Sequence, residues 1–373
     1  MKALILVCNA GRGHTSVSLA IAEALAERGV DSEIFDALSV FSKHISQLFS
    51  KGHTELYRHH PHFSNMSYTY AEKHPMDVRS RAAVRKMLHI GAERLYSHVQ
   101  EGGFDCLICP HVISALMADE LIRLHPNEIK SSCFVATDYT CSPLANKTEL
   151  DWYFVPTQDV AEEFAAAGVP SDKTVVTGGI PVQNVFYTEV SKAEAKAALG
   201  LSPDCRHLLV MSGSMGCGHI ERVVALVAKH MRADEAVTVV CGTNEHLRQR
   251  LEHDYAGREQ IRILGFTDNV AQLMDSADLL LTKPGGLTTS EAQVRQLPMV
   301  LVDVVSSCEK YNLRHYCSLG GAVWSNSERE AARYSLALLR DKTLLGGMSE
   351  RLRLSVRPEQ VLCDTVISGS KTV

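Results

Sequence analysis

The chain has 373 residues, 45% hydrophobic and 22% charged, with a formal net charge of −5. That length exceeds what one core usually organises, and the balance leaves little room for a disordered majority, so two globular domains are expected. A net charge of this size gives no global pull toward nucleic acid; no run approaches the ~20 uninterrupted apolar residues of a membrane span, and the opening apolar run, residues 3–7, is too short for a secretion signal.

In chain order, residues 2–8 read as a strand and 9–14 as a glycine-bearing turn. A helix follows, whose apolar residues Val17, Leu19, Ala20, Ile21, Ala24 and Leu25 keep a 3.6 period until Gly29. A strand at 30–35 completes a βαβ unit, the crossover that parallel strands need. The turn Asn9-Ala10-Gly11-Arg12-Gly13-His14 sets an imidazole at the mouth of this sheet directly before a helix, where it can serve as base or donor.

Residues 40–100 break the rhythm. Nine Lys/Arg face four Asp/Glu there, interleaved with eight histidines and the rings of Phe41, Phe49, Tyr57, Phe63, Tyr68 and Tyr70. This composition suits a surface that docks peripherally on anionic lipid, the plainer alternative being a solvated pair of helices. Buried strands are expected again at 105–109, 132–136 and 152–155. The second of these ends in Thr137-Asp138, a carboxylate at the same sheet edge as His14.

Turn residues thicken at Gly178-Gly179-Ile180-Pro181-Val182, and after Gly200-Leu201-Ser202-Pro203 the strand, glycine turn, helix pattern starts over. Strands are expected at 207–211, 237–241, 261–264, 278–282 and 299–302. The chain thus reads as two doubly wound parallel sheets, in domains of residues 1–187 and 188–373, with ligands at the carboxyl ends of the strands. The 11 cysteines are odd in number, and Cys8, Cys106, Cys109, Cys133 and Cys241 fall in expected strands, which fits reduced thiols in the cytoplasm. Cys106 and Cys109 form a CxxC inside an apolar run with no second pair at zinc spacing, so no metal site is expected.

Two loops of the second half carry chemistry. Ser212-Gly213-Ser214-Met215-Gly216-Cys217-Gly218 follows the strand at 207–211, and its glycines let backbone amides approach an anion. Its spacing is neither that of a P-loop nor that of the dinucleotide fingerprint, which weighs against an ATPase and a nicotinamide dehydrogenase. Thr282-Lys283-Pro284-Gly285-Gly286-Leu287-Thr288-Thr289-Ser290-Glu291-Ala292 follows the strand at 278–282. This is the pattern of a diphosphate cradle: glycines permit close approach, free amides at the helix start meet phosphate oxygens, and Glu291 one turn in can accept from a ribose diol. A capped helix with a solvent-facing acid is the bland alternative.

In register, Gly11, Gly13 and His14, the pair Thr137-Asp138, Gly179-Ile180-Pro181-Val182, and Lys283-Pro284-Gly285-Gly286-Leu287-Thr288 with Glu291-Ala292 resemble glycosyltransferase family 28. The resemblance is to its monogalactosyldiacylglycerol synthase and processive diacylglycerol glucosyltransferase branch. It implies the GT-B architecture, two Rossmann-like domains facing across a cleft, and inverting transfer of glucose or galactose from a UDP-sugar to a lipid hydroxyl such as diacylglycerol. It also implies no essential metal, no cofactor beyond the donor, and peripheral attachment to the inner face of the cell membrane. By the same resemblance Gly285, Gly286, Leu287 and Thr288 hold the diphosphate, Glu291 the ribose, and Glu309 with Asn312 the hexose. Gly213 and Ser214 line the donor pocket, Gly11 and Gly13 shape the acceptor side, and the base is either His14 or Asp138, or the two acting as a coupled pair.

Two departures bear on specificity. Where the family reads Pro-x-Pro-Gly-Gln-Glu, this chain has Val304-Val305-Ser306-Ser307-Cys308-Glu309, and Tyr139-Thr140-Cys141-Ser142 replaces the histidine and tryptophan usual after Thr137-Asp138. The alternatives are a UDP-N-acetylglucosamine 2-epimerase, which would turn over without an acceptor, and a sugar-nucleotide sensor, which would bind without turnover.

Overall fold

The computed structural model describes residues 1–8, 12–42, 44, 46, 47, 52, 82–188, 190–214, 216, 220–304 and 308–369. The chain forms two compact units, one of the described residues up to 183 together with 355–369, the other of 184–354.

In the first unit β1 (Lys2–Val7), α1 (Arg12–Ala26) and β2 (Asp31–Asp36) make the expected crossover. Next come α2 (Ala82–Gly102), β3 (Cys106–Cys109), α3 (Val112–Leu124), β4 (Ser131–Val135), β5 (Trp152–Val155), α4 (Gln158–Ala166) and β6 (Thr174–Val176). The sheet is parallel throughout, in the order β2-β1-β3-β4-β5-β6. Its inner strands are buried on both faces, as strands covered by helices must be, so β3 is a run of Cys, Leu, Ile and Cys with no polar residue. Chain order reverses between β1 and β3, and the loops after these two strands leave the sheet side by side.

Much of the basic insertion expected over 40–100 lies outside the described residues, namely 43, 45, 48–51 and 53–81. The described end of it packs as part of the domain. The helix α2 buries Leu88, Gly91, Ala92, Leu95 and Val99 at helical spacing. A Cβ on Gly91 would stand 2.8 Å from the Phe41 ring, and Arg94 donates to the carbonyls of Val40 and Phe41 at 3.0 and 3.3 Å. Phe41, grouped by composition with an interfacial surface, thus packs against α2, while Arg94 stays exposed and bonds back to the turn at Val40 and Phe41.

The second unit runs α5 (Lys192–Ala198), β7 (Arg206–Met211), α6 (Ile220–His230), β8 (Glu235–Val240), α7 (Glu245–Asp254), β9 (Ile261–Leu264) and α8 (Val270–Ser276). It continues with β10 (Leu279–Thr282), α9 (Gly286–Val294), β11 (Met299–Leu301), α10 (Glu309–Leu319), β12 (Ala322–Trp324), α11 (Glu328–Leu339) and α12 (Lys342–Arg351). This sheet is also parallel, in the order β12-β11-β10-β7-β8-β9. Counted within the unit that is the dinucleotide-fold order, reversed at the β7–β10 junction, where such sheets open a crevice. Leu208, Val210, Val237, Val239, Leu279, Leu281 and Val300 form its core with Val223, Val224 and Val227 of α6.

The expected single crossing at 187/188 is corrected at the tail. The last helix, α13 (Pro358–Ser368), belongs to the first unit. It buries Leu362, Cys363 and Val366, and it is tied to the α1 region by Arg28, whose Nε donates to Asp364 at 2.6 Å and whose Nη2 donates to the Gln360 side chain at 2.9 Å. Among the described residues no helix is long and apolar enough to cross a membrane.

Candidate active site

The two glycine loops of the second unit meet at its switch point. Because Thr282 of β10 pairs with Met211 of β7, Ser212 and Lys283 leave neighbouring strands at one level. Gly213 takes φ +72°, a left-handed conformation that glycine adopts without strain. The loop after β8 braces this turn from behind: the Thr243 backbone amide and hydroxyl donate to the Ser214 carbonyl at 2.9 and 3.1 Å, and the Asn244 side-chain amide donates to the Gly216 carbonyl at 2.9 Å. A Cβ on Gly242 would stand 2.5 Å from the Ser214 oxygen, so a side chain there would push the turn out of place. Gly242, Thr243 and Asn244 escaped the sequence reading, although a glycine and a helix-capping asparagine straight after a strand were the signal to follow. Residues 215 and 217–219 of the first loop lie outside the described residues.

Gly285 precedes α9 in extended backbone, and its own amide turns back to the Lys283 carbonyl at 2.8 Å. The amides of Gly286, Leu287 and Thr288 form the first turn of the helix and have no intrahelical acceptor, so they and the helix dipole offer positive potential to an anion. The helix is held rigidly behind that turn. The Thr289 hydroxyl donates to the Gly285 carbonyl at 2.8 Å, that of Ser290 donates to Gly286 at 2.7 Å, and the buried Tyr316 hydroxyl of α10 donates to Gln293 at 3.1 Å.

Glu291 lies on the buried side of this helix. Its side chain is 8% exposed, and among the described residues no group hydrogen-bonds or ion-pairs with its carboxyl. Burial alone pushes that carboxyl up to about 8 from 4.5. A largely buried acid that no described residue pairs is disfavoured in its ionised form, and such groups gather at functional sites.

Glu309 and Asn312 stand on the first turn of α10, both buried. The Glu309 carboxylate pairs with the Lys283 ammonium. Asn312 is fully enclosed and donates its amide to the Pro284 carbonyl at 3.0 Å, so it shapes the glycine turn from beneath. Cys308 stands at the N-cap position of this helix without a side-chain capping bond, and residues 305–307 lie outside the described residues.

In the first unit Gly11 lies outside the described residues, while Gly13 and His14 open α1 with nothing within 4 Å of where a Gly13 Cβ would stand. His14 Nδ1 lies 2.9 Å from the Pro110 carbonyl, which follows β3, and 3.4 Å from the Thr137 hydroxyl, which follows β4. A carbonyl only accepts, so Nδ1 carries a proton and donates it to Pro110. The sequence reading missed His111. Its ring meets that of His14 edge to face at 4.7 Å, and its Nδ1 accepts the Ile113 amide at 3.1 Å, capping α3. Three loops thus deliver His14, His111 and the Thr137-Asp138 pair to one sheet edge.

Among the described residues no group of three metal-binding side chains occurs. Cys106 and Cys109 are buried thiols inside β3, and desolvation raises both, Cys106 to about 12, which disfavours the thiolate a metal would need.

A sequence model of monogalactosyldiacylglycerol (MGDG) synthase matches residues 14–182, and one of the glycosyltransferase family 28 C-terminal domain matches residues 207–323. The chain belongs to glycosyltransferase family 28, in its monogalactosyldiacylglycerol synthase branch. Among relatives of this family 28 chain, the processive diacylglycerol beta-glucosyltransferase of Bacillus mycoides is 28% identical over 98% of this chain and 93% of its own length. The enzyme of the same name from Staphylococcus saprophyticus is 32% identical, over 55% and 52%. Of solved structures, Acinetobacter baumannii MurG superposes with a TM-score of 0.66 at 12% identity, covering 98% of this chain and 99% of its own. UDP-GlcNAc 2-epimerase from Neisseria meningitidis, bound to UDP-GlcNAc, gives 0.63 at 12% identity with 99% of both chains covered. At these identities the superpositions speak for the fold, the two Rossmann-like domains of GT-B.

Proposed function

We propose that this chain transfers a hexosyl group, glucose or galactose, from a UDP-sugar to the hydroxyl of a diacylglycerol-type lipid, with inversion at the anomeric carbon. The observation that carries the reading is Glu291, a largely buried carboxyl that no described residue hydrogen-bonds or ion-pairs, on a helix whose first amides have no intrahelical acceptor. A ribose diol supplies the hydroxyl donors that this acid lacks, and the diphosphate joined to it reaches the amides of Gly286, Leu287 and Thr288. The relatives named as diacylglycerol glucosyltransferases support the lipid acceptor and the hexose. On the acceptor side the lipid oxygen attacks the anomeric carbon, its proton passes to Nε2 of His14, and the bond from sugar to UDP breaks with its electron pair left on phosphate. The Pro110 carbonyl holds the ring in the tautomer this step requires, and Asp138 serves to orient the acceptor hydroxyl. Helix amides stabilise the departing charge, so activity is expected to survive chelation of divalent metal.

The test incubates the protein with UDP-glucose or UDP-galactose and diacylglycerol vesicles and analyses products by mass and anomeric configuration. Glycolipid of inverted configuration is expected, and His14→Gln should lower turnover roughly 100- to 10,000-fold with donor affinity retained. A sugar-nucleotide isomer formed without lipid would replace this reading with an epimerase. A lipid acceptor also requires work at a membrane surface, for which the basic composition of residues 40–100 is suited; pelleting with anionic vesicles that weakens at high salt is the expected result.

A further inference from the structure

The candidate donor site contains a cation that neither the glycine turns nor Glu291 accounts for. An added Cβ on Gly213 would stand 3.0 Å from Lys283 Cε, and one on Gly285 would stand 3.5 Å from Lys283 Nζ and 3.9 Å from Glu309 Oε1. The lysine side chain therefore fills the room that both glycines leave, between the turn after β7 and the start of α9. It is 16% exposed and its partner Glu309 is 4% exposed. Desolvating such a pair consumes much of the Coulomb energy it returns, so stability alone is a poor reason to keep it. Its position is unfavourable in a second way: the ammonium stands beside the amino-terminal end of a helix, where the dipole already presents positive charge and a cation is repelled. The ammonium and the helix end stand together, and both attract a multiply charged anion.

We propose that Lys283 holds the β-phosphate of the donor and takes up the charge that develops on departing UDP, with Glu309 as its counter-ion until the donor arrives. The inference rests on the UDP-sugar reading above. As the bond between the anomeric carbon and the phosphate oxygen breaks, its electron pair stays on that oxygen; the Lys283 ammonium keeps its proton and stabilises the added negative charge electrostatically. Gly213 and Gly285 are small because the lysine must reach the phosphate between them.

The test compares wild type with Lys283→Met/Glu309→Gln, in which neither charge is left buried alone, and uses uridine and UDP as paired probes in titration calorimetry or ligand-observed NMR. Uridine reports the nucleoside half of the site, UDP both halves. The expected result is unchanged uridine affinity, UDP affinity lower by about 10- to 100-fold, the range of a charge-assisted bond, and a further fall in kcat with saturating UDP-sugar. Lys283→Arg should recover part of the UDP affinity. Equal loss of uridine and UDP affinity would make the pair a structural brace and overturn the inference, as would retention of full UDP affinity and turnover. Failure of the wild-type protein to bind either probe would instead remove the donor-site reading itself.

Discussion

His207 and Glu291 are both ionisable, both buried in the second unit, and their surroundings treat them in opposite ways. His207 stands at the amino end of β7 with no exposure, its Nε2 2.8 Å from the Thr238 hydroxyl and its Nδ1 3.0 Å from that of Ser276. Ser276 spends its own proton on the Leu273 carbonyl at 2.7 Å, so it accepts from Nδ1, and Thr238 donates to Nε2. The ring is neutral with both nitrogens satisfied, and burial lowers it to about 4. Glu291 follows the carboxyl end of β10 and meets no donor at all among the described residues. The chain supplies both partners of His207, and among the described residues it supplies none to the Glu291 carboxyl.

This contrast has a signature in pH. The folded value of Glu291, about 8 against 4.5 for an ordinary glutamate, means that its stabilising protonated state is fully present below pH 4.5 and lost as pH rises through 8. His207, about 4 against 6.5, contributes stability that is present above pH 6.5 and lost as pH falls through 4. Between pH 4.5 and 6.5 the two slopes oppose one another. Above that window only the glutamate acts, and stability of the unliganded second unit falls.

The largest expected effect is on Glu291→Gln. Its stability advantage over wild type should widen by about 3–5 kcal/mol between pH 4.5 and 8, followed in denaturant by the fluorescence of Trp324 in a Trp152→Phe background. A gap that does not change with pH would mean that Glu291 is paired. For His207→Gln we expect the acid limb between pH 6.5 and 4 to flatten by about 2–3 kcal/mol, and an unchanged limb would remove the histidine from the explanation. Glu291→Ala should weaken UDP binding by about 10- to 100-fold, the worth of hydrogen bonds to a charged acceptor, while His207→Gln leaves it unaltered. The smallest effect is a proton count. Ribose hydroxyls favour the ionised carboxylate, so UDP binding near pH 7 should release close to one proton, read by calorimetry in buffers of different ionisation enthalpy, and none in Glu291→Gln.

What could be read along the chain was whatever depends on near neighbours. The repeat of strand, glycine turn and helix announced both parallel sheets, since hydrophobic period and turn residues are local properties, and the strand at 261–264 has those bounds in the structure. Two strands went unread, β6 and β12, each three residues long and at the edge of its sheet, where a half-exposed segment carries too little pattern to register. Pro284-Gly285-Gly286 announced the start of α9, because a helix start is written within ten residues. That Glu291 would have no partner could not be read, for that depends on everything packed around α9.

Sequence by itself therefore determined the class of fold and the two glycine loops with their residue types. Tertiary structure alone decided which distant loops share a site. Pairing of β10 with β7 sets Lys283 against Gly213, and pairing of β1 with β3 gives His14 the Pro110 carbonyl that orders its tautomer. It also returned α13 to the first unit, against the order of the chain. The physical reason is that strand order is a choice of partners made across long separations by burial of whole faces, and no short window of residues records that choice.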